Sequence, residues 1–202
     1  DSAGMIHPLC GNGMAMAQDE GQANLPTDRT ALLLIDIQMF YFEGGQMPLH
    51  HPGKASRNAG LLLEEFRNKG MEIVHVRHDV SSNGQIHPDV SPLDHEKVIT
   101  KREANSFAGT DLLEYLKKQD ITHLVISGMM THMCVEATTR AAHDYGFQCL
   151  VAEDACATRA LTYKDQTVQA VDVHVSTLAT LQGNYSQTRT TEEIRHILNN
   201  SQ

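Results

Sequence analysis

From Thr30 onward, short apolar runs alternate with stretches whose apolar residues recur every three or four positions. The run ALLLIDI (31–37) is continuous apart from one acid, the mark of a strand covered on both faces. Residues 54–69 carry apolar side chains at helical spacing and stop at Gly70, a C-terminal cap signal. MEIVHVRH (71–78) reads as a second strand, and EKVITK (96–101) as a third. Between them, residues 79–96 are polar, contain Asn83-Gly84 and two prolines, and form a long loop. A helix starts at Thr110-Asp111 and runs to about Lys118, followed by a strand, HLVISGM (123–129). The next helix has Thr131 as its N-cap and ends near Tyr145 before Gly146. QCLVAEDA (148–155) is a fifth strand, residues 162–181 a long helix, 185–190 a polar edge strand and 191–199 a last helix. Strands alternating with helices predict βαβ units, hence a three-layer α/β/α fold on a mostly parallel sheet of about six strands. Ligands of such sheets bind beyond the carboxyl ends of the strands. The polar residues ending strands one, three and four are therefore the first to inspect.

Residues 1–27 differ: rich in Gly, Met and small residues without a sustained period, they read as a flexible arm before a single domain at 28–202. Within the arm, GMIHPLCGNGMAMA resembles the flavin-binding end of some oxidoreductases, but no dinucleotide-binding strand and Gly-rich turn accompany it, so no flavin is expected. The net charge of -9 repels phosphate backbones, which excludes nucleic acid as a natural partner. No apolar run reaches the roughly 18 residues a membrane span needs, and no basic stretch precedes an apolar block as in a secretory leader. The four cysteines (Cys10, Cys134, Cys149, Cys156) show neither a C-x-x-C pair nor a zinc spacing, so a reducing cytoplasm is expected.

Three residues satisfy the strand-end criterion. Asp36 stands inside the first apolar run, where an acid is costly unless paired or functional; the plainer alternative is a carboxylate capping the next turn. Lys101 ends the third strand, either as an ordinary solvated lysine or as the partner of an acid on the same rim. Cys134 falls in the first turn of the helix after the fourth strand. There the helix dipole and free N–H groups would lower a thiol pKa and hold a developing oxyanion. Its alternative is a small residue packing helix against sheet.

The segments LLLIDIQMF, VITKREANSFAGTDL and LVISGMMTHMCVEATTRAAHDYGF, followed by VAEDACAT, resemble the isochorismatase-like cysteine hydrolase superfamily. The likeness runs in order from about Thr30 to the C-terminus and includes the G-x-x-T-x-x-C-V motif. Relatives there include nicotinamidases and N-carbamoyl and ureide amidohydrolases. The resemblance implies Asp36 as general base, Lys101 as the charge stabilising the Asp–Cys pair, and Cys134 as nucleophile. It also implies a non-proline cis peptide at Met129–Met130, aiming the Met130 N–H with that of Cys134 at the oxyanion. A small amide, ureide or N-carbamoyl substrate would be cleaved through a thioester, with no cofactor, in a homo-oligomer.

Nicotinamidases of the superfamily hold a metal through Asp-x-His after the second strand; here His78 and Asp79 are adjacent instead. Neighbours on a strand point to opposite faces, so no metal site is expected. His87 and His95 of the long loop can still line the pocket. Gln38 is expected to orient the carboxylate or substrate, or else to stabilise a turn. Phe40, Phe42 and Phe107 can wall the acyl group or serve as core, His132 sits on the rim, and Cys149 and Cys156 are inert packing. Two other functions compete. A vinyl-ether hydrolase of the isochorismatase type needs no cysteine nucleophile, and a thiol-responsive protein would keep the fold without turnover.

Overall fold

A strand with no polar face is satisfied only between two covering layers. In the computed structural model, which describes residues 25–200, β1 (Thr30–Ile35) is buried at all six positions. Leu32 and Leu34 enter one core, and Ala31, Leu33 and Ile35 the other. The remaining strands are β2 (Glu72–His78), β3 (Lys97–Lys101), β4 (His123–Met129), β5 (Gln148–Ala157), β6 (Leu161–Tyr163), β7 (Gln166–Val168) and β8 (Gln187–Arg189). Six of them form one sheet in the order β3-β2-β1-β4-β5-β8, parallel throughout.

Among the described residues five helices cover it: α1 (Pro52–Asn68), α2 (Leu112–Lys118), α3 (Glu136–Asp144), α4 (Ala170–Leu181) and α5 (Thr191–Asn200). α1 and α5 bury Leu62, Leu63, Phe66, Ile194 and Leu198 on one face. On the other face α2, α3 and α4 contribute Leu112, Leu116, Ala142 and Leu181. The connections leave β1 towards β2 and then return to β4 on its other side. That reversal opens a crevice at the carboxyl ends of β1 and β4.

Two backbone features shape the crevice. β1 stops at Ile35 rather than at Ile37, because Asp36 adopts a left-handed φ of 51°. Aspartate tolerates that region better than most residues. Gly128 has φ 142°, and a Cβ there would lie 2.0 Å from the Ile35 carbonyl oxygen, so β1 and β4 approach this closely only with glycine.

Two expectations are corrected. The helix expected over 162–181 is shorter: β6 and β7 pair as an antiparallel hairpin, and α4 starts at Ala170. Thr162, Tyr163, Thr167 and Val168 favour extended backbone, and Lys164 turns the chain at φ 55°. Thr131 is not an N-cap. It is the first residue of a π turn (Thr131–Val135) preceding α3, and Met130 occupies the cap position. The arm and the flavin-like stretch lie, over residues 1–24, outside the described residues; Leu25 is buried in the core. Among the described residues no helix is long and apolar enough to cross a membrane.

Candidate active site

The crevice brings Asp36, Lys101 and Cys134 together. Asp36 turns inward directly after β1, Lys101 is the last residue of β3, and Cys134 lies in the π turn after β4. A π turn widens the helix by one residue per turn, here through the Val135 N–H donating to the Met130 carbonyl at 3.3 Å, and such turns recur at functional sites. The loop after Lys101 is clipped to α3: the Ser106 N–H donates to Thr138 Oγ1 at 3.0 Å, and the Thr138 hydroxyl to Ser106 Oγ at 2.8 Å.

The Lys101 ammonium is the hub. Its Nζ lies 2.7 Å from Asp36 Oδ2, 2.9 Å from the Glu103 carbonyl, 3.2 Å from His78 Nδ1 and 3.3 Å from Cys134 Sγ. The side chains of Lys101 and Asp36 are both wholly inaccessible to solvent, so the pair interacts in a low dielectric. Asp36 Oδ2 meets the ammonium in a buried, charge-assisted contact.

Burial pushes the Asp36 carboxyl above its ordinary value, against the pull of Lys101 and, more weakly, of Cys134 and His78. That direction suits a base, since a raised proton affinity brings it nearer neutral pH. Burial, reinforced by the Asp36 charge, pushes the Cys134 thiol up to about 12, with Lys101 opposing. The expected depressed thiol pKa is thereby corrected. Desolvation and a neighbouring carboxylate outweigh the turn's dipole, and the resting sulfur is a neutral thiol.

Asp36, His78 and Cys134 have ligand-type atoms within 4.8 Å of one another, a donor set open to a metal. The Lys101 ammonium stands within 3.3 Å of all three, so a cation entering there would have to displace it. The peptide bond between Met129 and Met130 is cis.

Other expected residues fall elsewhere. Gln38 does not face a substrate. Its Nε2 donates to the His78 and Gly84 carbonyls at 3.0 and 2.8 Å, and its Oε1 accepts the His78 N–H at 2.7 Å. Phe107 is buried and packs on Tyr145 and Phe147, in the core shared with α2 and α3. Phe40 and Phe42 are buried, and Phe42 stacks on His87 with centroids 3.9 Å apart. His95 is exposed just before β3, at the opposite end of that strand from Lys101. His132 is half-buried, its Nδ1 2.6 Å from Thr158 Oγ1. Cys149 and Cys156 are buried in β5.

Sequence reasoning missed three residues. His78 ends β2, a strand the criterion skipped. Tyr41 lies between the two phenylalanines, and its pKa is raised by burial and then by the charges of Cys134 and Asp36. Arg159, exposed just beyond β5, acts electrostatically on Tyr41 and His132 and has no ion-pair partner among the described residues. A cavity of about 550 Å³ adjoins the site without being lined by the triad. Its Thr158 and His174 bond to His132 and Thr131 of the nucleophile's turn.

Comparison with known proteins bears on the family and the fold. The family model described as the isochorismatase domain matches residues 30–182. An uncharacterized isochorismatase family protein of Bacillus subtilis, YddQ, is 45% identical over 174 residues, covering 81% of this chain and 97% of its own length. The crystal structure of an isochorismatase from Pseudomonas putida superposes with a TM-score of 0.80 at 34% identity, over 84% of this chain and 92% of that one. A cysteine hydrolase from Pseudomonas syringae shares the fold at a TM-score of 0.84 and 20% identity, over 88% and 95% of the two chains.

Proposed function

The chain belongs to the isochorismatase family of hydrolases, and from that membership we propose that it cleaves the C–N bond of a small amide, ureide or N-carbamoyl compound through a thioester on Cys134. The observation that carries this is the buried ammonium of Lys101, in contact with both Asp36 Oδ2 and Cys134 Sγ. An amide is a poor electrophile and needs a strong nucleophile. Asp36 takes the proton from the Cys134 thiol as the sulfur attacks the carbonyl carbon, and the Met130 and Cys134 N–H groups receive the oxyanion. Asp36 then gives that proton to the nitrogen as the C–N bond breaks. Water, deprotonated by Asp36, attacks the thioester. The C–S bond breaks, and the proton returns to sulfur. Lys101 keeps a positive charge beside whichever partner is anionic at each stage.

A vinyl-ether hydrolase has no use for a thiol in contact with the base's cation, which counts against that alternative. A redox-sensing thiol works as a resting thiolate, whereas burial and the Asp36 charge hold the Cys134 thiol pKa up.

Arg159, which has no ion-pair partner among the described residues and acts electrostatically on Tyr41 and His132, favours substrates bearing a carboxylate, such as N-carbamoyl acids, because a guanidinium grips a carboxylate in two parallel hydrogen bonds. The test is amine or ammonia release from a panel of neutral amides, ureides and N-carbamoyl acids. The expected result is turnover of one class, with Arg159→Ala raising KM roughly 10-fold or more for its carboxylated members and sparing neutral ones. No release from any of them would refute the amidase assignment; equal KM would remove Arg159 from recognition.

A second copy of the chain is the partner proposed for the outer face of α4. There Val171 and Val175, one turn apart, are 55% and 57% exposed, and Val168 just before them is 46% exposed. Sedimentation is expected to show a dimer or larger assembly that Val175→Glu dissociates, and a monomeric wild type would refute it.

A further inference from the structure

An ammonium carries three hydrogens, and four acceptors surround Lys101 Nζ. The carboxylate of Asp36 and the carbonyl of Glu103, at 2.7 and 2.9 Å, hold two. The third is contested between His78 Nδ1 at 3.2 Å and Cys134 Sγ at 3.3 Å. A neutral thiol sulfur is a weak acceptor and an imidazole nitrogen a good one, while a thiolate, being charged, outcompetes both. An ammonium has no lone pair to offer, so Nδ1 must be the acceptor.

We infer that His78 is a positioning residue, holding the third Lys101 hydrogen while Cys134 is a thiol and releasing it to the sulfur as the thiol proton passes to Asp36. It acts on the reaction through Lys101, and its role presupposes the Cys134 mechanism proposed above. The fold holds it for this purpose from two sides. His78 pairs with Lys101 in the β2–β3 register, so the two strand ends lie side by side. The Gln38 amide grips the His78 backbone at both its N–H and its carbonyl. That gives Gln38 a use its failure to face substrate had left unexplained. The exchange also fits a site whose resting sulfur is neutral. With the hydrogen parked on His78, the ammonium remains centred between base and nucleophile, and the sulfur acquires its full cationic partner only as its own charge develops.

The test is the pH profile of Cys134 alkylation by iodoacetamide, located on the peptide by mass spectrometry, which needs no substrate. The titratable groups around the ammonium are Asp36 from the turn after β1, Cys134 from the π turn and His78 from β2, and Tyr41 feels the charges of the first two. Comparisons are therefore made between proteins differing only at position 78. His78→Leu removes the acceptor and leaves the third hydrogen to sulfur. The profile is expected to move to lower pH, with alkylation at a fixed neutral pH roughly 10-fold faster. His78→Ala gives the same reading if leucine disturbs the fold. His78→Asn, whose carbonyl oxygen stands near the position of Nδ1, is expected to return the profile to that of the wild type.

A residue that merely filled space would lower stability in these variants without moving the profile. Coincident profiles for the wild type and a folded His78→Leu or His78→Ala protein would overturn the inference, as would a folded His78→Asn that fails to restore it. Because the readout is alkylation, an empty substrate panel would count against the amidase and leave this result legible. An active amidase with unmoved profiles would count against His78 alone.

Discussion

Cys134→Ala is expected to lose hydrolysis by on the order of 10⁴-fold or more, since removing a covalent nucleophile leaves only binding and oxyanion stabilisation. The fold is expected to survive. Cys134 is 5% exposed and packs as a small member of the core around β4. Losing one sulfur atom costs about 1 kcal/mol of packing, which moves the midpoint of a domain this size by about 2–4 °C. Cys134→Ser separates size from chemistry. It keeps the shape but offers a hydroxyl of far higher pKa, so it is expected to be as inactive as alanine and equally stable. Thermal unfolding alongside steady-state turnover checks both halves, and comparable activity in either variant would remove the covalent pathway.

The second large effect concerns stability. Lys101→Met leaves the buried Asp36 carboxyl with no cation beside it. Breaking a buried pair on one side costs about 3–5 kcal/mol, whereas replacing both partners by neutral groups is often harmless. Asp36→Asn in the Lys101→Met background is accordingly expected to recover most of the loss. Asparagine suits the test because it tolerates the left-handed backbone at position 36.

The pH dependence separates this mechanism from simple loss of packing. Burial already raises the folded-state pKa of Asp36, and removing Lys101 takes away the largest opposing influence. The folded state of the single variant then holds a proton that the unfolded chain releases near pH ~3.9. Between those two pKa values the folded state binds more protons, so stability falls as pH rises. The deficit of Lys101→Met is expected to be small near pH 4 and to grow towards neutrality, while the double variant shows no such growth. Denaturant melts at a series of pH values measure it, and a deficit of constant size would contradict an unpaired carboxylate as its cause.

Much of this site was legible before any coordinates. The strand ends of a parallel sheet share one rim, so Asp36 and Lys101 stood out by position, and Cys134 by its place after the next buried strand. What stayed hidden depends on geometry that periodicity does not carry. Gln38 looked like a pocket residue because it follows Asp36 by two. The left-handed turn at Asp36 breaks the strand's alternation and sends the amide to the His78 backbone instead. Phe107 follows Lys101 closely in sequence, yet its ring turns into the core against Tyr145 and Phe147. The hairpin Leu161–Val168 read as helix because its apolar residues are few and its turn lacks glycine. The thiol's protonation state was misjudged because a helix-start dipole is visible in sequence, whereas desolvation by surrounding layers is not. His78 was set aside as a failed metal ligand, although ending a strand beside Lys101 was signal enough.

The covalent role of Cys134 is tested most directly by quenching the wild-type enzyme in acid during turnover of an amide it hydrolyses, with and without hydroxylamine, and weighing the peptide that carries Cys134. The predicted result is the mass of the acyl group on that peptide, lost to an acyl hydroxamate when hydroxylamine is present and absent from Cys134→Ala. Sustained hydrolysis with neither adduct nor hydroxamate, undiminished in Cys134→Ala, would contradict the thioester mechanism.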